Sequence, residues 1–152
     1  MKDILYCEDN FHMRKQIVGF LGDVFPDREV VADESVRGVL SKFTEINLDN
    51  VSPISVNNVA DVLRRENADF SNLKLAITDG HLIDRFAGAG DEILSGWDLA
   101  KILRDCNYIG KIVYLGGSDI PSDREELFDL KLSKLDVRNG SKLIDYALTF
   151  LS

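Results

Sequence analysis

The strand that decides the fold is Leu73-Lys74-Leu75-Ala76-Ile77-Thr78-Asp79-Gly80, a largely apolar run that ends abruptly at an acid and a glycine. Short apolar runs with such an ending are typical of buried strands. In an open α/β sheet, functional groups collect just beyond the carboxyl ends of the strands. Asp79 is therefore the first candidate functional residue.

Other short apolar runs also stop at residues that can carry chemistry. They are Ile4–Cys7 before Glu8 and Asp9, Lys111–Leu115 before Gly116 and Gly117, and the weaker run Leu130–Leu132 shortly before Lys134. The sequence leaves open whether residues 29–32 or 53–56 form one more strand. Parallel strands would bring these end residues to one edge of the sheet.

Amphipathic helices are predicted between the strands, because apolar residues recur there at helical spacing. The first predicted helix begins after Asn10, which is its N-cap. The other predicted helices cover Val36–Phe43, Val56–Leu63, Leu99–Cys106, a short stretch at Ser122–Phe128, and Leu143–Leu151. Strands that alternate with helices predict an α/β fold: a doubly wound, five-stranded parallel sheet with helices on both faces. One extra helix is expected before or after the second strand.

The composition predicts one acidic domain of 152 residues, with 26 Asp and Glu against 18 Lys and Arg and a net charge of −8. An acidic surface repels phosphate backbones and anionic lipids, so we expect neither a direct nucleic-acid partner nor a membrane partner. Cys7 and Cys106 are expected to be buried thiols in a reducing compartment. The expected localisation is cytoplasmic.

The acids at the predicted sheet edge suggest a metal site. Glu8, Asp9 and Asp79 held close together would repel one another, and a divalent cation removes that cost. Oxygen ligands with open water positions suit Mg²⁺. Lys134 and the backbone N–H groups of the glycine turn could bind a phosphoryl group there, with Asp79 as the nucleophile.

The sequence resembles the receiver domains of two-component response regulators. The similar segments occur in the family's order and together cover most of the chain. The matching blocks are Ile4-Leu5-Tyr6-Cys7-Glu8-Asp9-Asn10, Leu75-Ala76-Ile77-Thr78-Asp79, Gly96-Trp97-Asp98-Leu99-Ala100-Lys101-Ile102-Leu103-Arg104, Lys111-Ile112-Val113-Tyr114-Leu115 and Ser133-Lys134-Leu135. The resemblance implies the flavodoxin-like receiver fold and a role in phosphorelay signalling.

The resemblance also implies roles for single residues. Glu8 and Asp9 resemble the acidic pair that organises Mg²⁺, and Asp79 resembles the phospho-acceptor, with Asp79 also a metal ligand. His81 would offer its backbone carbonyl to the metal, and Lys134 would contact the phosphate. The implied phosphodonor is a histidine kinase or phosphotransfer protein, and a downstream protein or a homodimer is a possible further partner. The implied chemistry is limited to self-catalysed phosphotransfer and slow autodephosphorylation.

Several residues depart from the family pattern. Gly116 stands where receivers usually carry Thr or Ser, so the backbone of Gly116 and Gly117 is expected to replace the hydroxyl as phosphate contact. Lys131 replaces the usual aromatic switch residue, and Leu135 replaces a proline. These departures favour an alternative, a pseudo-receiver that binds proteins without obligatory phosphorylation. A phosphatase of the haloacid dehalogenase type would need a second Asp at position 81, which is His.

Two insertions into the single domain 1–152 are expected, near residues 33–58 and 85–95. The first is either a tolerated surface elaboration or a docking or dimer element that uses the apolar face Val36, Val39, Leu40 and Phe43. Trp97 and Tyr114 are interpreted as packing residues.

Overall fold

A single parallel sheet organises the protein. The computed structural model describes residues 2–134 and 141–151, with the side chains of Ser141 and Phe150 left out. Its five strands are all parallel and lie in the order β2-β1-β3-β4-β5. The predicted doubly wound α/β fold is confirmed.

Helices and strands follow one another as the sequence predicts, with one exception near the C-terminal end. In chain order the elements are β1 (Lys2–Cys7), α1 (Phe11–Val24), β2 (Glu29–Asp33), α2 (Val36–Thr44), α3 (Val56–Arg65), β3 (Leu75–Thr78), α4 (Gly96–Asp105), β4 (Lys111–Leu115), the 3₁₀ helix Glu125–Leu127, β5 (Leu130–Leu132) and α5 (Ser141–Leu151). The second strand is thus formed by residues 29–33, and the extra helix follows it. The exception is the helix predicted at Ser122–Phe128, which is only one 3₁₀ turn.

Two apolar cores lie on opposite faces of the sheet. Successive residues of a strand point to opposite faces, so β1 contributes Leu5 and Cys7 to one core and Ile4 and Tyr6 to the other. Helices α2, α3 and α4 cover the first core, and α1 and α5 cover the second. Cys7 is fully buried as predicted, whereas Cys106 is only half-buried.

The predicted docking face of α2 is part of the first core. Val36, Val39, Leu40 and Phe43 are all buried against the sheet and α3. A partner could not reach this face without unfolding the helix from the sheet. The hypothesis that these four side chains form a docking or dimer surface is therefore wrong.

Side-chain caps fix where the helices begin, because the first backbone N–H groups of a helix lack partners within it. Asn10 accepts a hydrogen bond from the Met13 amide, as the sequence predicts, and Ser35 and Ser55 cap α2 and α3 in the same way. At α4, Ser95 and Asp98 form a reciprocal capping box. None of the helices in the described ranges is long and apolar enough to cross a membrane.

The two segments predicted as insertions contact each other beside the carboxyl edge of the sheet. The amide of Ile54 donates to Asp91 at 2.7 Å, and the Ile54 carbonyl accepts from the Glu92 amide at 2.8 Å. Arg37 on α2 forms a buried ion pair with Asp84, with 2.7 Å between Nε and Oδ2. These contacts hold the segment from residue 82 to residue 95 against α2 and the loop before α3.

Candidate functional site

Three carboxylates meet where β1 and β3 end. These strands are paired so that Cys7 lies opposite Thr78, which places Glu8 and Asp79 side by side. The Asp79 amide donates to the Cys7 carbonyl at 3.0 Å and so continues the sheet to the acid itself. One oxygen from each of Glu8, Asp9 and Asp79 lies within 4.8 Å of the other two. The structure thus brings together the acids that the sequence placed at one edge.

Lys134 joins this cluster from the segment after β5. Its Nζ lies 2.9 Å from Oδ2 of Asp79 and 3.1 Å from Oε1 of Glu8. Partial burial by itself would lower the pKa of Lys134, but the hydrogen bond to Asp79 and the nearby carboxyl groups of Glu8 and Asp79 raise it overall. Lys134 therefore stays positively charged beside the Asp79 carboxylate.

Glu8 is the most buried member of the cluster. Its side chain is fully buried, and within the described part of the chain its Oε1 has no hydrogen-bond partner, since Lys134 lies close to it without the required geometry. Burial raises the pKa of Glu8 from 4.5 to about 8, with further contributions from a hydrogen bond to Asp79 and from its charge. A buried acid left with an unused acceptor is a site that a cation or a proton can satisfy.

Glu8 is expected to lower the stability of the metal-free protein as pH rises. Its pKa is about 8 in the folded chain and 4.5 when unperturbed, so the folded chain holds a proton that the unfolded chain has released. The associated stabilisation is complete below pH 4.5 and is lost as pH rises through about 8. Urea unfolding of the protein and of Glu8→Gln, from about pH 5 to about pH 9, measures the effect. As pH rises, the free energy of unfolding of the native sequence should fall relative to that of Glu8→Gln. A difference between the two proteins that does not change with pH would contradict the raised pKa of Glu8.

The backbone amides around Asp79 are only partly available to a ligand. The Gly80 amide donates to Oδ1 of Asp79 at 2.7 Å. The Gly116 amide donates to the Leu132 carbonyl at 3.1 Å as part of the sheet. The β4–β5 pairing thus already uses the N–H group of Gly116, and its contact with a phosphate stays a prediction. Gly117 is exposed, and its amide stays a predicted contact.

Tyr114 is a site residue that the sequence reasoning missed. Its side chain is almost fully buried, and its hydroxyl donates to the Ser118 carbonyl at 2.7 Å. A Cβ built on Gly116 would lie 2.8 Å from Oδ1 of Asp79 and 2.9 Å from the Tyr114 hydroxyl oxygen. A Cβ on Gly80 would overlap the same hydroxyl. Gly80 and Gly116 are the features of the sequence that could have indicated this position of Tyr114, because a glycine leaves space that a large neighbouring side chain can fill.

The backbone of Asp79 is held from the other side by the start of α4. The Gly96 amide donates to the Gly80 carbonyl at 2.7 Å. A Cβ on Gly96 would overlap the carbonyl oxygen of Asp79 and lie 2.6 Å from Oγ1 of Thr78. Only glycine lets the helix approach this closely, so the positions of the α4 capping box and of Asp79 are fixed together.

The remaining predicted residues lie around this centre. The His81 side chain is exposed, and its ring contacts Trp97 edge-on with 5.3 Å between ring centroids; the role of its carbonyl stays a prediction. Lys131 is exposed and pairs with Glu125 at 2.6 Å. Leu135 lies outside the described residues.

Comparison with known proteins gives matches at the level of structure. No family model matches the sequence, and no curated protein matches it. A structure of the N-terminal domain of an uncharacterised protein from Wolinella succinogenes is 15% identical with a TM-score of 0.58, over 99% of this chain and 98% of that one.

A receiver domain and a response regulator also match. The receiver domain of the histidine kinase CKI1 from Arabidopsis thaliana, complexed with Mg²⁺, is 18% identical with a TM-score of 0.56, over 95% of this chain and 90% of that one. The chemotaxis response regulator CheY4 of Vibrio cholerae is 14% identical with a TM-score of 0.52, over 88% and 87%. The chain therefore has the fold of a response-regulator receiver domain.

Proposed function

We propose that this protein is a phosphorelay receiver that accepts a phosphoryl group on Asp79. The observation that carries the proposal is the position of the Asp79 carboxylate, which is 2.9 Å from the Lys134 ammonium and within 4.8 Å of oxygens from Glu8 and Asp9. The phosphodonor would be a histidine kinase or a phosphotransfer protein. A downstream protein or a second copy of the chain would receive the signal.

Mg²⁺ is the cofactor that this donor set fits. The three acids offer only oxygen ligands, and Glu8 retains a buried oxygen without a hydrogen bond in the described part of the chain. Asp9 and Asp79 would hold the ion directly, Glu8 through water, and His81 by its backbone carbonyl. A bound Mg²⁺ would neutralise charge on the phosphoryl oxygens. The CKI1 receiver was crystallised with Mg²⁺, which supports the assignment.

The residues of the chain divide the remaining work. Asp79 is the nucleophile: one carboxylate oxygen forms the new bond to phosphorus while the bond from phosphorus to the donor's imidazole nitrogen breaks. Lys134 would pair with a phosphoryl oxygen, and its hydrogen bond to Asp79 supports this role. The amide of Gly117, an exposed residue, is a further candidate donor to the phosphoryl group.

A direct assay tests this function. The protein is incubated with Mg²⁺ and acetyl phosphate, and the mass of the intact chain is measured with and without hydroxylamine, which cleaves acyl phosphates. We expect one phosphoryl group to be added, its loss on hydroxylamine treatment, and no addition to Asp79→Asn or after chelation of the metal. No adduct on the native sequence, under conditions in which a known receiver reacts, would overturn the proposal.

The second candidate is a pseudo-receiver that binds proteins without phosphorylation. The specific observation in its favour is Gly116, which offers no side-chain hydroxyl beside Asp79, together with Lys131 in place of an aromatic switch residue. This candidate predicts an unreactive Asp79 in the same assay. It also predicts that Asp79→Asn leaves partner binding unchanged.

A further inference from the structure

The Tyr114 hydroxyl occupies the space beside Asp79 that a side chain at position 116 would fill. The position of a Cβ on Gly116 is 2.8 Å from Oδ1 of Asp79 and 2.9 Å from the Tyr114 hydroxyl oxygen. The Asp79 carboxylate and the phenol therefore both border the same small volume. A phosphoryl group on Asp79 extends beyond the carboxylate oxygens and would enter this volume.

The phenol is held there by a ring contact and by a hydrogen bond of its hydroxyl. Tyr114 packs edge-on against Phe128, with 5.5 Å between ring centroids and 72° between ring planes. Its hydroxyl donates to the Ser118 carbonyl at 2.7 Å. Burial and the charge of Asp79 raise the pKa of Tyr114, so the hydroxyl keeps its proton and stays a donor.

A phenol has one proton and can donate one strong hydrogen bond at a time. In the unphosphorylated protein that bond goes to a neutral carbonyl, that of Ser118. Hydrogen bonds to charged oxygens are about twice as strong as those between neutral groups. A dianionic phosphoryl group within reach would therefore attract the proton away from Ser118.

We propose that the Tyr114 hydroxyl is the side-chain donor to a phosphoryl group on Asp79, in place of the hydroxyl that position 116 lacks. This inference rests on the proposed function. It also assigns a consequence of phosphorylation: the Ser118 carbonyl loses its partner, so the segment after β4 senses the state of Asp79. Tyr114 would then be both a phosphoryl-contacting residue and the link to that segment.

The opposing interpretation is that Tyr114 obstructs the site. An obstructing ring would make phosphorylation and binding of phosphoryl analogues easier when the hydroxyl is removed. A donating hydroxyl predicts the reverse. Tyr114→Phe separates the two, because it removes only the hydroxyl and keeps the ring against Phe128.

The first experiment measures binding of beryllofluoride, an analogue of the phosphoryl group, in the presence of saturating Mg²⁺. The fluorescence of Trp97, the sole tryptophan, reports binding because its ring lies next to Gly80. We expect Tyr114→Phe to bind beryllofluoride about tenfold more weakly and Mg²⁺ alone with unchanged affinity. Equal or tighter beryllofluoride binding by the variant would overturn the inference.

The second experiment observes the bond to Ser118 by NMR. In the native sequence, adding beryllofluoride should shift the backbone amide resonance of Asp119, which shares a peptide group with the Ser118 carbonyl. In Tyr114→Phe that shift should be largely absent, because no bond is lost. A similar shift in both proteins would contradict the proposed link.

A double variant that moves the hydroxyl from position 114 to position 116 supplies a control for folding. Gly116→Thr alone should weaken beryllofluoride binding, since its side chain would crowd Asp79 and Tyr114. Tyr114→Leu/Gly116→Thr should restore binding to within about threefold of the native sequence, because a hydroxyl returns to the same volume. Failure of this restoration in a folded double variant would count against the inference. Failure of the proposed function is distinct: the native sequence would then show neither an acyl phosphate nor beryllofluoride binding.

Discussion

Asp84→Asn is expected to destabilise the protein by about 3–5 kcal/mol, because it leaves the buried charge of Arg37 without its partner. Both side chains of the pair are more than nine-tenths buried. Oδ2 of Asp84 accepts a hydrogen bond from Nε of Arg37, and Oδ1 accepts one from Nη2. In Asp84→Asn the side-chain NH₂ group would face one of these Arg37 N–H groups, and two donors cannot bond to each other. Urea unfolding measures the change in the free energy of unfolding.

Two variants serve as controls for this prediction. The pair between Lys42 and Asp33 is more accessible to solvent and has the same charges at 3.2 Å, so Asp33→Asn should cost less than about 1 kcal/mol. Arg37→Leu/Asp84→Leu removes both buried charges and should recover most of the lost stability. An equal cost for Asp84→Asn and Asp33→Asn would show that Asp84 does not hold the segment after β3 as described.

Gly96→Ala is expected to cost roughly 3 kcal/mol or more, although alanine normally favours a helix. The added Cβ would overlap the backbone carbonyl of Asp79, and neither β3 nor the first turn of α4 can move without disturbing the other. We also expect Asp79, the proposed acceptor, to be displaced, so that the folded fraction reacts more slowly with acetyl phosphate. Thermal unfolding and the mass assay measure the two effects.

Gly19→Ala is the matched control, because Gly19 is exposed within α1 and its Cβ would meet nothing within 4 Å. This substitution should stabilise the protein by up to about 1 kcal/mol. We therefore expect Gly96→Ala to lower the free energy of unfolding and Gly19→Ala to raise it. A stabilising effect at Gly96 would contradict the close approach of α4 to Asp79.

The order of the elements and the meeting of the charged residues could be predicted because both depend on local sequence. An apolar run such as Leu75–Ile77 identifies a strand by itself, and the parallel arrangement then places the residues that follow each strand at one edge. Glu8, Asp9, Asp79 and Lys134 were predicted together for this reason, and the structure brings them together.

The features that were missed depend on which side chain fills which space. The apolar face of α2 was considered for docking because its pattern is the same whether it covers this chain's own sheet or a partner. The residues after Pro121 form only a 3₁₀ turn, although helical spacing favoured a helix. Tyr114 was interpreted as packing, since nothing in a strand sequence indicates that a tyrosine extends over a glycine two positions later.

Tyr114 and Gly116 share a space, so the residues tolerated at these two positions depend on each other. A side chain at 116 would crowd both the Tyr114 hydroxyl and the Asp79 carboxylate. A hydroxyl-bearing residue at 116 is therefore best accommodated together with a smaller residue at 114. Lineages that carry this tyrosine are therefore expected to keep glycine at 116 over long periods, whatever else changes around the site.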